Sequence, residues 1–171
     1  RGIVYDVRGN PGGVAGMIMA LGGQLVDSAT TLGTMRTRGG TLKLVALPRR
    51  VDMRGARVTP YAGRVAVLVD GLSMSTSEFF AGGLQAVRRA RVFGEPSAGQ
   101  ALPAMMSRLP TGDVLLHATG DYVDGAGRRL EGAGVVPDER VPLTRAALLA
   151  GRDDALDAAV RWIAAPGVAA R

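Results

Sequence analysis

Residues 3–7 form a short apolar run, Ile3-Val4-Tyr5-Asp6-Val7, that stops at the turn formers Gly9-Asn10-Pro11-Gly12-Gly13. This pattern predicts a mostly buried strand followed by a tight turn. Apolar residues then recur at helical spacing (Val14, Met17, Ile18, Leu21, Leu25), which predicts a helix over residues 14–26. Strand, glycine turn and helix in that order make half of a βαβ unit. Residues 28–64 are less regular: residues 41–45 alternate like an exposed strand, and residues 48–61 read as a basic loop. Residues 65–69, Val-Ala-Val-Leu-Val, are continuously apolar between Gly63 and Asp70, as expected of a central parallel strand covered on both faces.

A helix is expected over residues 75–89 and a third short strand over residues 91–93. Residues 114–119 and 121–123 read as two strands paired with each other, with a turn at Asp124-Gly125 before Arg128. Residues 144–165 have amphipathic helical character broken at Gly151-Arg152-Asp153. Asp153 or Asp154 can cap the second half, and Pro166-Gly167 ends it. The expected architecture is α/β, with parallel strands and helices packed on the sheet: residues 1–142 form its body and residues 143–171 a helical extension of the same domain.

Composition narrows the picture. The 171 residues are 47% hydrophobic and 21% charged, within the range of one globular domain with a sizeable core. No apolar run approaches the ~18 residues of a membrane span. Arg1 leads straight into the first strand, as expected of a chain that starts inside a domain. The formal net charge of +6 raises the question of nucleic acid. The arginines are scattered in ones and twos with few aromatics to stack on bases, so a solvated basic surface and no nucleic-acid partner is the reading taken. Cysteine is absent, which excludes disulfides and thiolate chemistry, and no histidine–carboxylate cluster has metal-ligand spacing. Neither a cofactor nor a metal is expected. Lys43 is the only lysine and His117 the only histidine. His117 sits in an alternating strand, which suits an edge or solvent-facing imidazole better than a catalytic one. Met17, Met19, Met105 and Met106 read as core or groove filler.

Two places could carry chemistry. Ser75 lies where a buried strand gives way to a helix, and that geometry projects a hydroxyl at the carboxyl end of a parallel sheet. The same serine, with Glu78 three residues on, also fits a capping box. The two roles are compatible, because a helix N-terminus offers positive potential to a developing oxyanion. Gly12-Gly13 can present backbone N–H groups outward as an oxyanion hole does, or can simply make a tight turn.

Taken together, four strings resemble the C-terminal processing, or tail-specific, serine peptidases. They are Asp6-Val7-Arg8-Gly9-Asn10-Pro11-Gly12-Gly13, Ser73-Met74-Ser75-Thr76-Ser77-Glu78, Gly94-Glu95-Pro96-Ser97-Ala98-Gly99 and Glu131-Gly132-Ala133-Gly134-Val135-Val136-Pro137-Asp138. The resemblance implies a crotonase-like (ClpP/crotonase-type) spiral of β and α elements, with residues 1–142 as the C-terminal part of the catalytic domain. It implies Ser75 as nucleophile, with the N–H groups of Gly13 and Thr76 as oxyanion donors. It also implies an extended or unfolded polypeptide, or its C-terminal tail, as substrate. Most members act outside the cytoplasm, in the periplasm, envelope or medium, with a cytoplasmic alternative. The family's usual PDZ domain is not within these residues, and the resemblance is silent on oligomeric state.

One departure matters. Where many members carry T-x-G-K-G with lysine as general base, this chain has Ser97-Ala98-Gly99-Gln100, and Ala104 stands where those enzymes have a glutamine. A glutamine amide cannot accept the serine proton at neutral pH. The tricorn core protease branch also lacks that lysine. It takes its base from an upstream histidine supported by a glutamate just before G-V-x-P-D, and Glu131 matches that glutamate in position. By the same analogy the histidine would precede Arg1, giving a serine–histidine–carboxylate relay. Glu131 could equally be an ion-pair partner of Arg128 or Arg129. A non-catalytic module for hydrophobic ligands or peptides, as in the interphotoreceptor retinoid-binding group, is the alternative. A crotonase-type acyl-thioester enzyme fits less well, since that chemistry needs no serine nucleophile.

Overall fold

Val65, Val67 and Val69 point to one side of their strand and Ala66 and Leu68 to the other, and all five are buried, so this strand is the centre of the molecule. A computed structural model describes residues 1–166. In chain order these form β1 (Gly2–Asp6), α1 (Gly16–Gly22), β2 (Thr30–Thr37), β3 (Gly40–Ala46), β4 (Arg64–Val69), α2 (Thr76–Ala86) and β5 (Arg91–Gly94). There follow β6 (Ala104–Arg108), β7 (Val114–Ala118), β8 (Gly120–Asp124), β9 (Glu139–Arg140), α3 (Arg145–Leu149) and α4 (Asp154–Ala164).

The main sheet has the order β1-β4-β5-β9 and is parallel throughout, with Ile3 opposite Val65, Val67 opposite Val92, and Phe93 opposite Glu139. On one face Val65, Val67 and Val69 pack with Phe79, Phe80 and Leu84 of α2 and with Ile18 of α1. On the other, Ala66, Leu68 and Phe93 meet Ala158 and Ala159 of α4, with Trp162 at the margin. Each fully buried Val, Leu or Phe contributes about 1.5–3 kcal/mol, so this two-sided strand anchors both layers. It also fixes where its carboxyl end, and the turn into α2, must lie.

A second, antiparallel sheet, β3-β2-β8, covers the far side of α2. Tyr122 of β8 stacks on Phe79 at 3.8 Å between ring centroids and donates its hydroxyl to the Leu32 carbonyl (3.1 Å). Burial raises the pKa of that phenol.

The structure departs from the sequence reading in four places. Residues 114–119 do not pair with residues 121–123. β7 pairs with the preceding β6, Met106 opposite Leu116, across a turn at Thr111-Gly112-Asp113, and β8 pairs with β2, Met35 opposite Tyr122. A single Gly120 between the two runs is too little for a hairpin, and burying Tyr122 against Phe79 draws β8 away. The first helix ends at Gly22 instead of Val26, because Gly22 and Gly23 interrupt it. A Cβ at Gly23 would lie 2.3 Å from the Leu47 carbonyl oxygen, so close packing requires glycine there. β2 lies in the segment taken as irregular, its alternation masked by Gly33 and by a bulge between Thr31 and Gly33. Met105 and Met106 are exposed on β6, not core, whereas Met19 packs against the core and Met17, though exposed, lines a pocket.

The C-terminal region breaks where expected. Thr144 caps α3 through Ala147 N–H (3.1 Å), and Asp153 caps α4 through Leu156 N–H (3.0 Å). α4 ends at Ala164, and Gly167 with the rest of the expected extension lies outside the described residues.

Candidate active site

β4 delivers the chain into the turn Asp70-Gly71-Leu72-Ser73-Met74, and the first residue of the new direction is Ser75. Its backbone sits at φ 52°, ψ −118°. A side-chain-bearing residue reaches that region at a cost of about 1–3 kcal/mol, and such strain is held only where surrounding contacts over-determine it. Here the Ser75 N–H donates both to the Gln100 carbonyl (2.9 Å) and to Glu78 Oε2 (3.0 Å). The half-buried Ser75 side chain therefore stands at a sharp strand-to-helix elbow, on the positive end of the eleven-residue helix α2.

The glycine turn after β1 is fastened to this elbow. The Asn10 carbonyl accepts from Met74 N–H (3.0 Å) and from the Ser77 hydroxyl (3.1 Å). Thr76 Oγ1 donates to the Gly13 carbonyl (2.8 Å), and Ser73 Oγ donates to the Val7 carbonyl (2.8 Å). Gly12, at φ 96°, lies so close that a Cβ there would stand 2.8 Å from Ser75 Cβ and 2.9 Å from Thr76 N. Neither the Gly13 N–H nor the Thr76 N–H has a hydrogen-bond partner among the described residues. Both expected oxyanion donors thus belong to segments packed against Ser75 and carry unused hydrogens.

The other two strings close the ring. Glu78 is fully buried and accepts four hydrogen bonds: the Ser97 hydroxyl (2.6 Å) and Gly99 N–H (2.8 Å) on Oε1, and Ser75 N–H and Gln100 N–H (3.1 Å) on Oε2. Ser97 Oγ in turn accepts Val135 N–H (2.6 Å), and the Gly99 carbonyl accepts Gly132 N–H (2.8 Å). Asp138 Oδ2 receives Val92 N–H (2.7 Å) and holds the start of β5.

Glu131 does not pair with Arg128 or Arg129, which bind Asp124 and Asp121 instead. Its Oε2 accepts Ala101 N–H at 2.7 Å, one residue beyond the Gln100 carbonyl that holds Ser75, and its Oε1 engages no described residue. Gln100 itself is exposed. Lys43, on β3, makes no hydrogen bond to Ser75. His117, on β7, faces Ser107 with Nε2 at 2.9 Å from the hydroxyl. Beside the elbow, a pocket of about 210 Å³ is walled by Tyr5, Val14, Met17, Ile18 and Phe80, with Gly13 and Thr76 at its edge.

One positioning contact was not foreseen. Arg8 lies between two carboxylates, reaching Asp6 through Nε and an NH2 group (2.9 and 2.7 Å) and Asp153 through both NH groups (2.9 and 2.6 Å). These hydrogen bonds hold Asp6 and Asp153 below the ordinary carboxylate range and raise the pKa of Arg8. They tie the strand leading into the glycine turn to the N-cap of α4. The cap signal at Asp153 was readable in sequence, but its arginine partner, 145 positions away, was not.

The family model of peptidase family S41 matches residues 1–141. A carboxy-terminal-processing protease of Bartonella bacilliformis is 28% identical over 138 residues, covering 81% of this chain and 30% of that protein. Among solved structures, the photosystem II D1 C-terminal processing protease superposes with a TM-score of 0.65 at 26% identity, over 82% of this chain and 34% of that one. The tricorn protease superposes with a TM-score of 0.61 at 17% identity, over 95% of this chain and 15% of that one. The parallel sheet with its packed helices is accordingly a crotonase-like α/β fold. The chain spans about a third or less of the length of the curated relatives it matches.

Proposed function

Because this chain belongs to peptidase family S41, we propose that it carries the nucleophile and oxyanion donors of a serine endopeptidase acting on extended or unfolded polypeptides and their C-terminal tails. Ser75 Oγ attacks the scissile carbonyl carbon and its proton passes to a base. The developing oxyanion is held by the N–H groups of Gly13 and Thr76. As the C–N bond breaks the base returns the proton to the leaving amine, and water then hydrolyses the acyl ester. The observation that carries this reading is the strained Ser75 backbone, φ 52° and ψ −118°, held against a glycine turn whose free N–H belongs to Gly13.

With Gln100 at the lysine position, the base is a histidine from a segment preceding Arg1, oriented by Glu131. The spare Oε1 of Glu131 supports that role, since Oε2 alone satisfies Ala101. The apolar pocket beside Thr76 suits an uncharged side chain of the substrate next to the cleaved bond.

The test is cleavage of a denatured protein by the complete protein in which this chain lies. Ser75→Ala should abolish turnover, and Glu131→Ala should lower kcat by about 10²-fold or more with KM little changed. Full activity in Ser75→Ala would remove the nucleophile assignment. No cleavage by the unsubstituted protein would favour the non-catalytic ligand-binding alternative.

A further inference from the structure

Beyond the peptidase reading, and independent of it, stands a basic finger at the far end of α1. Residues 50–58 fold back on themselves: Val51 pairs antiparallel with Arg57, Asp52 N–H donates to the Ala56 carbonyl (2.9 Å), and Val58 N–H to that of Arg50 (3.0 Å). The base is fixed to the body by Arg49 N–H on the Gly23 carbonyl (2.7 Å) and Tyr61 N–H on that of Gln24 (2.7 Å). Asp52, the one acid in the finger, uses Oδ1 for its own turn, accepting Arg54 and Ala56 N–H at 2.8 and 2.9 Å.

What the finger presents outward is cationic and apolar. Arg49, Arg50, Arg54 and Arg57 are all exposed, and none forms an ion pair among the described residues. Arg49 and Arg50 donate only to main-chain oxygens, of Val51 and Asp27. At the tip Met53 is 96% exposed, with Val51 at 53% behind it. With Arg36, Arg38 and Lys43 of the preceding hairpin, residues 36–57 hold seven basic residues and one acidic, a net +6 that equals the formal charge of the whole chain.

Unpaired guanidinium groups surrounding an apolar tip complement one surface in both respects, a bilayer rich in anionic phospholipid. Phosphate oxygens accept the guanidinium donors, and the tip enters the boundary between headgroups and acyl chains. Nucleic acid matches only the charge, since the finger has no aromatic ring to stack on a base. We infer that the finger of residues 49–58 docks this protein onto an anionic membrane surface. α1, about 10 Å long at 1.5 Å per residue, runs from the glycine turn to the finger's base. The finger's base thus lies about one α1 length from the glycine turn that packs on Ser75.

The experiment is co-sedimentation of the full chain with vesicles of phosphatidylcholine containing phosphatidylglycerol, and with vesicles of phosphatidylcholine alone. Binding is expected only to the anionic vesicles, weakening as salt is raised. Arg54→Gln with Arg57→Gln should lower partitioning roughly 30-fold, from about 1 kcal/mol for each charge. Met53→Ser should lower it several-fold with no change in charge, whereas Arg140→Gln with Arg145→Gln should leave it within about two-fold. All these side chains are exposed, so thermal melts should match and exclude a folding defect. Failure to bind anionic vesicles overturns the inference, as does an equal loss in the two arginine pairs. So does a Met53→Ser protein that binds lipid normally and duplex DNA as tightly.

Discussion

Glu78 Oε2 accepts the main-chain N–H of Ser75 at 3.0 Å while the same carboxylate, through Oε1, accepts the Ser97 hydroxyl at 2.6 Å. One buried side chain thus sets the backbone of Ser75 and the loop that faces it. A glutamine could accept at one atom only and would turn its own N–H donors towards donors. Glu78→Gln should therefore cost about 3 kcal/mol of stability, since buried donors left unpaired cost about 1–3 kcal/mol each. Urea unfolding measures this, and a loss under 1 kcal/mol would show that the network adapts.

Gly12 touches Ser75 so closely that an added methyl group would meet Ser75 Cβ at 2.8 Å and the Met74 carbonyl oxygen at 2.9 Å, at a φ of 96° that alanine resists. Gly12→Ala should push the glycine turn off the elbow, lowering stability by about 2 kcal/mol and turnover by a larger factor than the unfolding accounts for. A variant that folds and turns over normally would separate the turn from catalysis.

Ser75 offers a test in the opposite direction. Glycine adopts φ 52°, ψ −118° without a Cβ penalty, so Ser75→Gly should match or exceed the parent in stability by about 1 kcal/mol while all serine chemistry is lost. Ser75→Ala keeps the strain and loses only the hydroxyl. A Ser75→Gly protein markedly less stable than Ser75→Ala would show that the elbow is relaxed.

The Arg8 clamp gives a pH dependence. Asp6 and Asp153 are held below the usual carboxylate range, chiefly by hydrogen bonds from Arg8. Their stabilisation is therefore fully present above the unfolded carboxylate value, near 3.9, and is lost as pH falls through the lower folded value. Asp153→Asn keeps a residue able to cap α4 but removes the charge. It should melt below the parent at neutral pH by the equivalent of about 1 kcal/mol, and the gap should close below about pH 4. A gap of unchanged size at pH 3 would assign the effect to packing.

The parallel core and the elbow could be read from sequence because the signals were local. Residues 65–69 are apolar without interruption, and Ser75 with Glu78 has a cap spacing. Glu78 was recognised for its cap, yet its bonds to Ser97, Gly99 and Gln100 arise from chain segments about twenty residues away that only folding brings together. The same holds for β8: Tyr122 follows β7 closely in sequence, but stacking on Phe79 decides its partner. Glu131 had two readings, as relay member or as ion-pair partner of Arg128 and Arg129. The structure removes the second, since those arginines are taken by Asp124 and Asp121.

The most direct measurement is treatment of the complete protein with a fluorophosphonate probe, followed by peptide mapping of the adduct. The account predicts a single covalent adduct on Ser75 that is absent from Ser75→Ala and does not form on the 171-residue chain by itself. An adduct on another serine, undiminished labelling of Ser75→Ala, or an intact protein that takes up no probe would contradict it.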